Sequence, residues 1–366
     1  MKRHIINIFK IVIFVIVFIV FYYFLTIFKK PINHQLDNIS GIYAERKNSL
    51  DMVYIGGSAA FVYYSPIDAY KNYGISSYDY AVDGIQAEFY LTMVKELLKT
   101  QKPKVVVIDA RAFQYREKDI EPNEISYRVF LRGFKYNIDR VKLINKIVPK
   151  YLKQGTLKYH LDLGLYHTEE SIPSFIKTFN IMFDKNKNLN KGFYLVPKAM
   201  NIYKYDRDTK EELKIASESE KLLNELLDYL EKRNVKALFV VSPYQQIKRE
   251  KMQFNYIEKI VKSRNQDFLD ANDYIDQMKL DFTYDFYNGS HVNIYGAEKY
   301  TKFLSEYLIK KYNLPDRRKE RKYQKDFNFL IPKWKENVEK TKKEIEAIKQ
   351  TKTYLEDIEI RKNINS

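Results

Sequence analysis

The chain has no cysteine among its 366 residues. Disulfides, thiolate nucleophiles and cysteine-ligated zinc are therefore excluded together. Neither GxxxxGK[ST] nor GxGxxG occurs, so the phosphate-cradling loop and the dinucleotide fingerprint are missing as well. Nothing in the sequence asks for a metal or a cofactor, and no internal repeat is present. Histidine is scarce, with five in all, which leaves few imidazoles for base catalysis. What abounds is positive charge, a net +16. Such a balance suits nucleic acid, an anionic membrane face or an anionic cell-envelope polymer. No nucleic-acid reader motif accompanies it, and an apolar N-terminal run argues against that partner.

That run, residues 11–28 (IVIFVIVFIVFYYFLTIF), holds 18 positions without a charge. A helix of this length spans roughly 27 Å at ~1.5 Å per residue, close to the ~30 Å hydrocarbon core of a bilayer. Lys2, Arg3 and Lys10 precede it and Lys29 and Lys30 follow, a mild preference for the N-terminus inside. No small-residue cleavage pattern follows, since the next residues read KKPINH. An uncleaved single-pass signal anchor over residues 1–30 is expected, with the rest of the chain extracytoplasmic; a buried core helix is the alternative.

Beyond a polar linker (31–48), strand and helix patterns alternate over 49–313. Strands are expected at 51–55, 75–82, 104–109, 235–242 and 267–270. Helices are expected at 86–98, 211–232, 252–263 and 297–310, the second marked by leucines at helical spacing from Leu213 to Leu230. Strands separated by helices predict an α/β domain, a parallel sheet covered on both faces. Residues 112–200, aromatic and basic with weak periodicity, read as an inserted helical segment. The basic tail, 314–366, reads as a charged helix with a loose heptad seam at Val338, Ile345, Ile348, Leu355 and Ile358. Such a helix is either a solvated appendage or a contact for a partner, an anionic polymer or the membrane.

In a parallel sheet, ligands bind at the carboxyl ends of the strands. Gly57-Ser58 sits at such an end, directly after the first strand. A serine hydroxyl needs an adjacent base to be nucleophilic at neutral pH. Of the five histidines, His4 and His34 fall in or beside the apolar run, and His160 and His167 in the insertion. His291 alone lies in a loop near the end of the α/β domain, in DFYNGSHVNIYGAEKY, where Asn293 is placed to cap the next helix. Singly, a Gly-Ser after a strand is a plain turn and a loop histidine is surface decoration; at the two ends of one α/β domain they form a candidate reactive pair.

The blocks Tyr54-Ile55-Gly56-Gly57-Ser58 and Asn288-Gly289-Ser290-His291-Val292-Asn293, with the later Gly296, resemble the SGNH/GDSL hydrolase superfamily over about residues 50–312. The His-hydrophobic-Asn pattern is similar to its membrane-anchored, DltD-like and alginate-acetylation-type members. The resemblance implies a three-layer fold and a serine esterase or acyltransferase, with Ser58 as nucleophile and His291 as base. It implies the Gly84 N–H as an oxyanion donor, in Ala81-Val82-Asp83-Gly84. It also implies a membrane-bound O-acyltransferase as partner and a surface polysaccharide or teichoic-type polymer as substrate.

Two positions depart from the family pattern. The asparagine expected after the third strand is missing from Asp109-Ala110-Arg111. Arg111 either donates to an oxyanion, holds an anionic substrate, or pairs with Asp109 or Asp83. The acid expected three residues before the histidine is Asn288, so Asp285 reaches round to the imidazole, Asn288 supports it as an amide, or Ser58 and His291 work as a bare dyad. A domain that binds glycan or scaffolds an acyltransferase without catalysis is the competing expectation.

Overall fold

Apolar residues that alternate between two buried faces build the centre of the molecule. The computed structural model describes residues 2–28, 34–114, 124–161, 189–351 and 353–355. In chain order these form α1 (Lys2–Phe28), α2 (His34–Gly41), β1 (Met52–Gly56), α3 (Ser58–Phe61), α4 (Pro66–Tyr73), β2 (Ser77–Ala81), α5 (Ala87–Thr100) and β3 (Val105–Asp109). The helices α6 (Glu124–Gly133), α7 (Ile138–Ile147), α8 (Leu157–His160) and α9 (Ser217–Lys232) precede β4 (Ala237–Val241). Then come α10 (Lys248–Ser263), β5 (Asp267–Asp270), α11 (Ile275–Met278), a hairpin of β6 (Phe286–Asn288) and β7 (His291–Val292), α12 (Ile294–Tyr312) and α13 (Arg321–Lys349).

The five strands β1 to β5 form a parallel sheet in the order β2-β1-β3-β4-β5. The strands β1 to β4 are buried along their whole length, as a sheet covered on both sides requires. Val53, Ile55, Tyr78, Tyr80, Val106 and Ile108 point into one core with α5 and α9. Met52, Tyr54, Val105, Val107, Leu238 and Val240 point into a second core with α4, α12 and α13. The α/β architecture expected from the sequence is thus present, a parallel sheet flanked by helices. In this strand order the chain winds in opposite directions on either side of the β1–β3 pair, and a crevice opens at their carboxyl ends.

Helix α1 stands apart in character. Its window Arg3–Tyr22 has a mean hydropathy of 2.8 and none of it is buried. By length and composition it can cross a membrane. A buried core helix would have its apolar side chains covered; here Phe14 and Phe9 are among the most exposed apolar residues.

Three expectations need correction. Residues 34–41 are not a polar linker: α2 buries Leu36 and Ile39, and its Asn38 Nδ2 donates to the carbonyls of Ala81 (3.0 Å) and Gly192 (2.8 Å). Its backbone approaches α6 so closely that a Cβ on Gly133 would lie 2.5 Å from Ile39. The tail is not a solvated appendage. Along α13, Tyr323, Phe327, Leu330, Trp334, Val338, Thr341, Ile345 and Lys349 form one buried stripe at helical spacing on the second core. Of the proposed seam, Val338 and Ile345 are buried, Leu355 is exposed and Ile358 lies outside the described residues. Finally, α9 begins at Ser217 rather than at 211; Leu213 precedes it in chain without regular secondary structure, its N–H bonded to the Met252 carbonyl (3.0 Å). Within 112–200, α6, α7 and α8 are helical as expected and residues 189–200 form a turn followed by chain without regular secondary structure, while 115–123 and 162–188, with His167, lie outside the described residues, as do Lys29 and Lys30.

Candidate active site

Ser58 opens α3 immediately beyond β1, with Gly57 as the preceding cap. Gly57 has an extended backbone of negative φ, so no left-handed turn calls for glycine there. The neighbour needs it instead: a Cβ on Gly56 would come within 2.6 Å of the Asp109 Cβ and 3.0 Å of the Ala60 Cβ. The chain can start α3 tight against β3 because position 56 carries no side chain.

His291 is delivered from the other end of the domain by the β6–β7 hairpin, whose turn is Gly289-Ser290. Asn293, as expected, caps α12 by accepting the Tyr295 N–H (2.9 Å), and its Nδ2 reaches back to the Tyr284 carbonyl (2.8 Å). At Gly296 a Cβ would meet the Asp285 carbonyl at 2.6 Å and the Val292 Cβ at 2.7 Å. The first turn of α12 therefore packs directly on the hairpin, and the imidazole is held from two sides.

The structure brings Ser58 and His291 together. Oγ of Ser58 lies 2.6 Å from Nε2 of His291, across 233 positions of sequence. Nδ1 of the same ring lies 2.9 Å from Oδ1 of Asn288. That Asn288 atom also accepts the Ser290 backbone N–H (2.9 Å), which identifies it as the carbonyl oxygen. An oxygen there requires the proton on Nδ1, so the Nε2 lone pair faces the serine hydroxyl. This is the arrangement in which imidazole removes the hydroxyl proton.

The electrostatics differ from those of a carboxylate-backed site. Burial, and then the positive charge of Arg111, push the His291 pKa down to about 3. The ring is neutral through the physiological range, and among the described residues no carboxylate bonds to it to steady it once protonated. Asp285 does not supply that charge. It is fully buried on the far side of the hairpin, where Oδ2 binds Lys299 Nζ (2.6 Å) and the Asp281 N–H (2.7 Å). Burial raises its pKa while Lys299 opposes the rise. The expectation that Asp285 reaches round to His291 is therefore not met: a six-residue separation across a β-turn leaves its side chain pointing toward α12, and Asn288 takes the position.

Arg111 lies just past the carboxyl end of β3, inside a 3-10 turn capped by Asp109, whose Oδ1 accepts the Arg111 N–H (3.0 Å). Its Nη1 donates to the Ser290 carbonyl (3.1 Å), and its guanidinium stacks 4.1 Å from the centre of the Tyr244 ring. Arg111 thus touches the turn that carries His291. Asp109 also reaches the Gly57 N–H with Oδ2 (3.4 Å), so one carboxylate ties the serine turn to the arginine turn. Burial raises the Asp109 pKa and Arg111 pulls it back. Gly84 sits in the neighbouring loop with φ +65°, a conformation suited to glycine, and is exposed with open space around it. The loop borders the serine, since the Val82 and Ile85 carbonyls lie 3.9 Å from where a Gly57 Cβ would be.

Other residues complete the surroundings. Tyr287 stacks nearly parallel on the imidazole, 5.3 Å between centres at 8°. The buried Tyr63 hydroxyl sits 2.6 Å from the Pro243 carbonyl and 2.9 Å from that of Ser290, donating to one at a time. Tyr244 was findable as the residue two beyond a strand's carboxyl end, and Tyr287 as the neighbour of Asn288. Tyr63 carries no such signal. His160 is remote from this site, with Nε2 2.9 Å from Asn145 Oδ1, and His4 is exposed on α1.

No protein-family model matches the chain, and no curated protein matches it. Chemically, the arrangement provides an oriented serine hydroxyl, a neutral base, a fixed cation and aromatic walls at the β1–β3 crevice.

Proposed function

We propose that the chain is an extracytoplasmic serine esterase or O-acyltransferase of SGNH type, held at a membrane by α1, that acts on acyl groups of a cell-surface polysaccharide or teichoic-type polymer. The observation that carries this reading is the 2.6 Å contact between Ser58 Oγ and His291 Nε2. It joins two blocks that the sequence resemblance had already singled out. The Ser58 oxygen attacks the ester carbonyl while its proton passes to Nε2. The resulting oxyanion is stabilised by Arg111 and by backbone N–H groups of the Gly84 loop. The proton then goes to the departing alcohol, leaving an acyl-serine. Water or a glycan hydroxyl, deprotonated by the same Nε2, attacks that ester and releases Ser58. A membrane-bound O-acyltransferase is the partner this reading implies, by analogy alone.

A second reading is favoured by Asn288. An amide fixes the tautomer without stabilising imidazolium, as suits a domain that retains the shape of the site and binds or scaffolds instead of catalysing. Incubating the full chain with an O-acetylated polysaccharide separates the two. The enzymatic reading expects acetate release or acetyl transfer to an added acceptor, lost in Ser58→Ala and His291→Ala. Equal, background-level release from all three proteins supports the scaffold.

A further inference from the structure

The carboxyl edge of the sheet runs on past the reactive pair to β5, and there a second cleft of about 420 Å³ opens between residues 204–208 and Asn272, Asp273, Ile275 and Asp276. Its wall is rigid. The buried Arg207 donates to Gln246 Oε1 (2.5 Å), to Asp270 Oδ2 (3.1 Å) and to Asp273. Lys251 adds a second cation on Asp270 (2.9 Å). With Arg207 committed to carboxylates, the charged groups left to face a ligand are three aspartates, Asp206, Asp208 and Asp276, against one cation, Lys204, in a chain whose net charge is +16. A polyanion would meet like charge here. No group of three or more His, Asp or Glu among the described residues is arranged to hold a metal ion.

Beside these carboxylates stand exposed aromatic rings. Tyr205 lines the cleft at 38% exposure and meets Tyr203, 40% exposed, edge to face at 5.2 Å. Carboxylates that accept from hydroxyls and a flat apolar ring face are groups that recognise a neutral polyol.

Two stretches of chain tie this cleft to the reactive pair. Gln245 donates its N–H to the Gly289 carbonyl in the His291 hairpin (2.8 Å), and its neighbour Gln246 holds Arg207. The irregular segment that ends in the cleft begins beside α3: Tyr194 N–H binds the Phe61 carbonyl of α3 (2.8 Å), and Met200 N–H that of Phe286 on β6 (3.0 Å). Strands β1 and β5 are three spacings apart, roughly 14 Å, a gap that a polymer bridges and a single small molecule does not.

We propose that the β5 cleft is a subsite for a neutral glycan chain, one of whose acylated or acceptor hydroxyls reaches Ser58. The assignment deepens the proposed reaction by naming its substrate as an uncharged polysaccharide in preference to a phosphate-bearing polymer. Titration calorimetry of the detergent-solubilised full chain tests it, in a Ser58→Ala background, with chitohexaose, isomaltohexaose and a glycerol-phosphate polymer as probes. The expected result is binding of a neutral oligosaccharide that weakens roughly tenfold, about 1.4 kcal/mol, in Tyr205→Ala and is retained in Tyr205→Phe. Tighter binding of the glycerol-phosphate polymer than of either sugar, or no sugar binding that responds to Tyr205→Ala, overturns it. Because Ser58 is absent throughout, sugar binding alongside an inert wild-type enzyme would sink the proposed reaction and leave the subsite. Acyl chemistry without sugar binding would do the reverse.

Discussion

His291 Nδ1 and Asn288 Oδ1 are 2.9 Å apart, and this contact decides which imidazole nitrogen faces the Ser58 hydroxyl. The amide does half the work of a carboxylate: it selects the tautomer but brings no charge to the protonated ring. Replacing Asn288 with Asp is expected to raise esterase turnover by at least about tenfold, a fraction of the ~10⁴ separating Asp from Asn in a serine triad. The check is p-nitrophenyl acetate hydrolysis across pH. In the wild type, with the His291 pKa down to about 3, the rate should not fall as pH drops through 6.5. In Asn288→Asp the acid limb moves to higher pH, because the carboxylate favours imidazolium. Asp285→Ala should leave the shape of that profile unchanged.

Arg111 acts on the same ring from the opposite direction, as the second cause of its low pKa after burial. Arg111→Met is expected to raise the His291 pKa, moving the acid limb toward neutral pH, while lowering turnover by roughly 10²-fold if the guanidinium serves the oxyanion. Proton NMR titration of the histidine signals measures the first effect independently of the second.

The tail helix is predicted to be part of the fold. Trp334 is 2% exposed and its ring packs edge to face on Phe193 at 5.3 Å. Trp334→Ala should destabilise the protein by about 3–5 kcal/mol. A melting temperature within a degree of wild type would contradict the packing described for α13.

Asp79 gives stability an unusual pH dependence. It lies on β2 fully buried, with neither carboxylate oxygen hydrogen-bonded, and burial raises its pKa well above the ordinary value. A carboxyl whose folded pKa is raised contributes stability that is fully present below its unfolded pKa of about 3.9 and is lost as pH climbs through the folded pKa. Asp79→Asn should remove this loss. Thermal melts between pH 4 and 8 should show a flatter curve and, at neutral pH, a melting temperature higher by a few degrees, about 2–4 °C per kcal/mol.

Much of this arrangement could be read from the residues. The buried strands announce themselves as short apolar runs such as Val105-Val106-Val107-Ile108, and Ser58 and His291 stand out by position, one after the first strand and one before the helix α12. What stayed hidden was set by contacts distant in sequence. Helix α2 has only Leu36 and Ile39 as apolar anchors, too few for a periodic signal, and it is fixed by Asn38 bonding to carbonyls at 81 and 192. The segment from 189 to 216 makes isolated hydrogen bonds to Phe61, Phe282 and Phe286 and has no repeating pattern to detect. The stripe on α13 was obscured by Lys and Glu on its other faces. Asp285 looked eligible on spacing alone; only the turn geometry shows it committed to Lys299.

The most direct test is reaction of the full chain with a fluorophosphonate probe, followed by peptide mapping. Stoichiometric phosphonylation of Ser58, abolished in Ser58→Ala and slowed at least a hundredfold in His291→Ala, is the predicted result. Failure of the wild-type protein to label, or labelling that survives Ser58→Ala, would contradict a nucleophilic serine at the β1–β3 crevice.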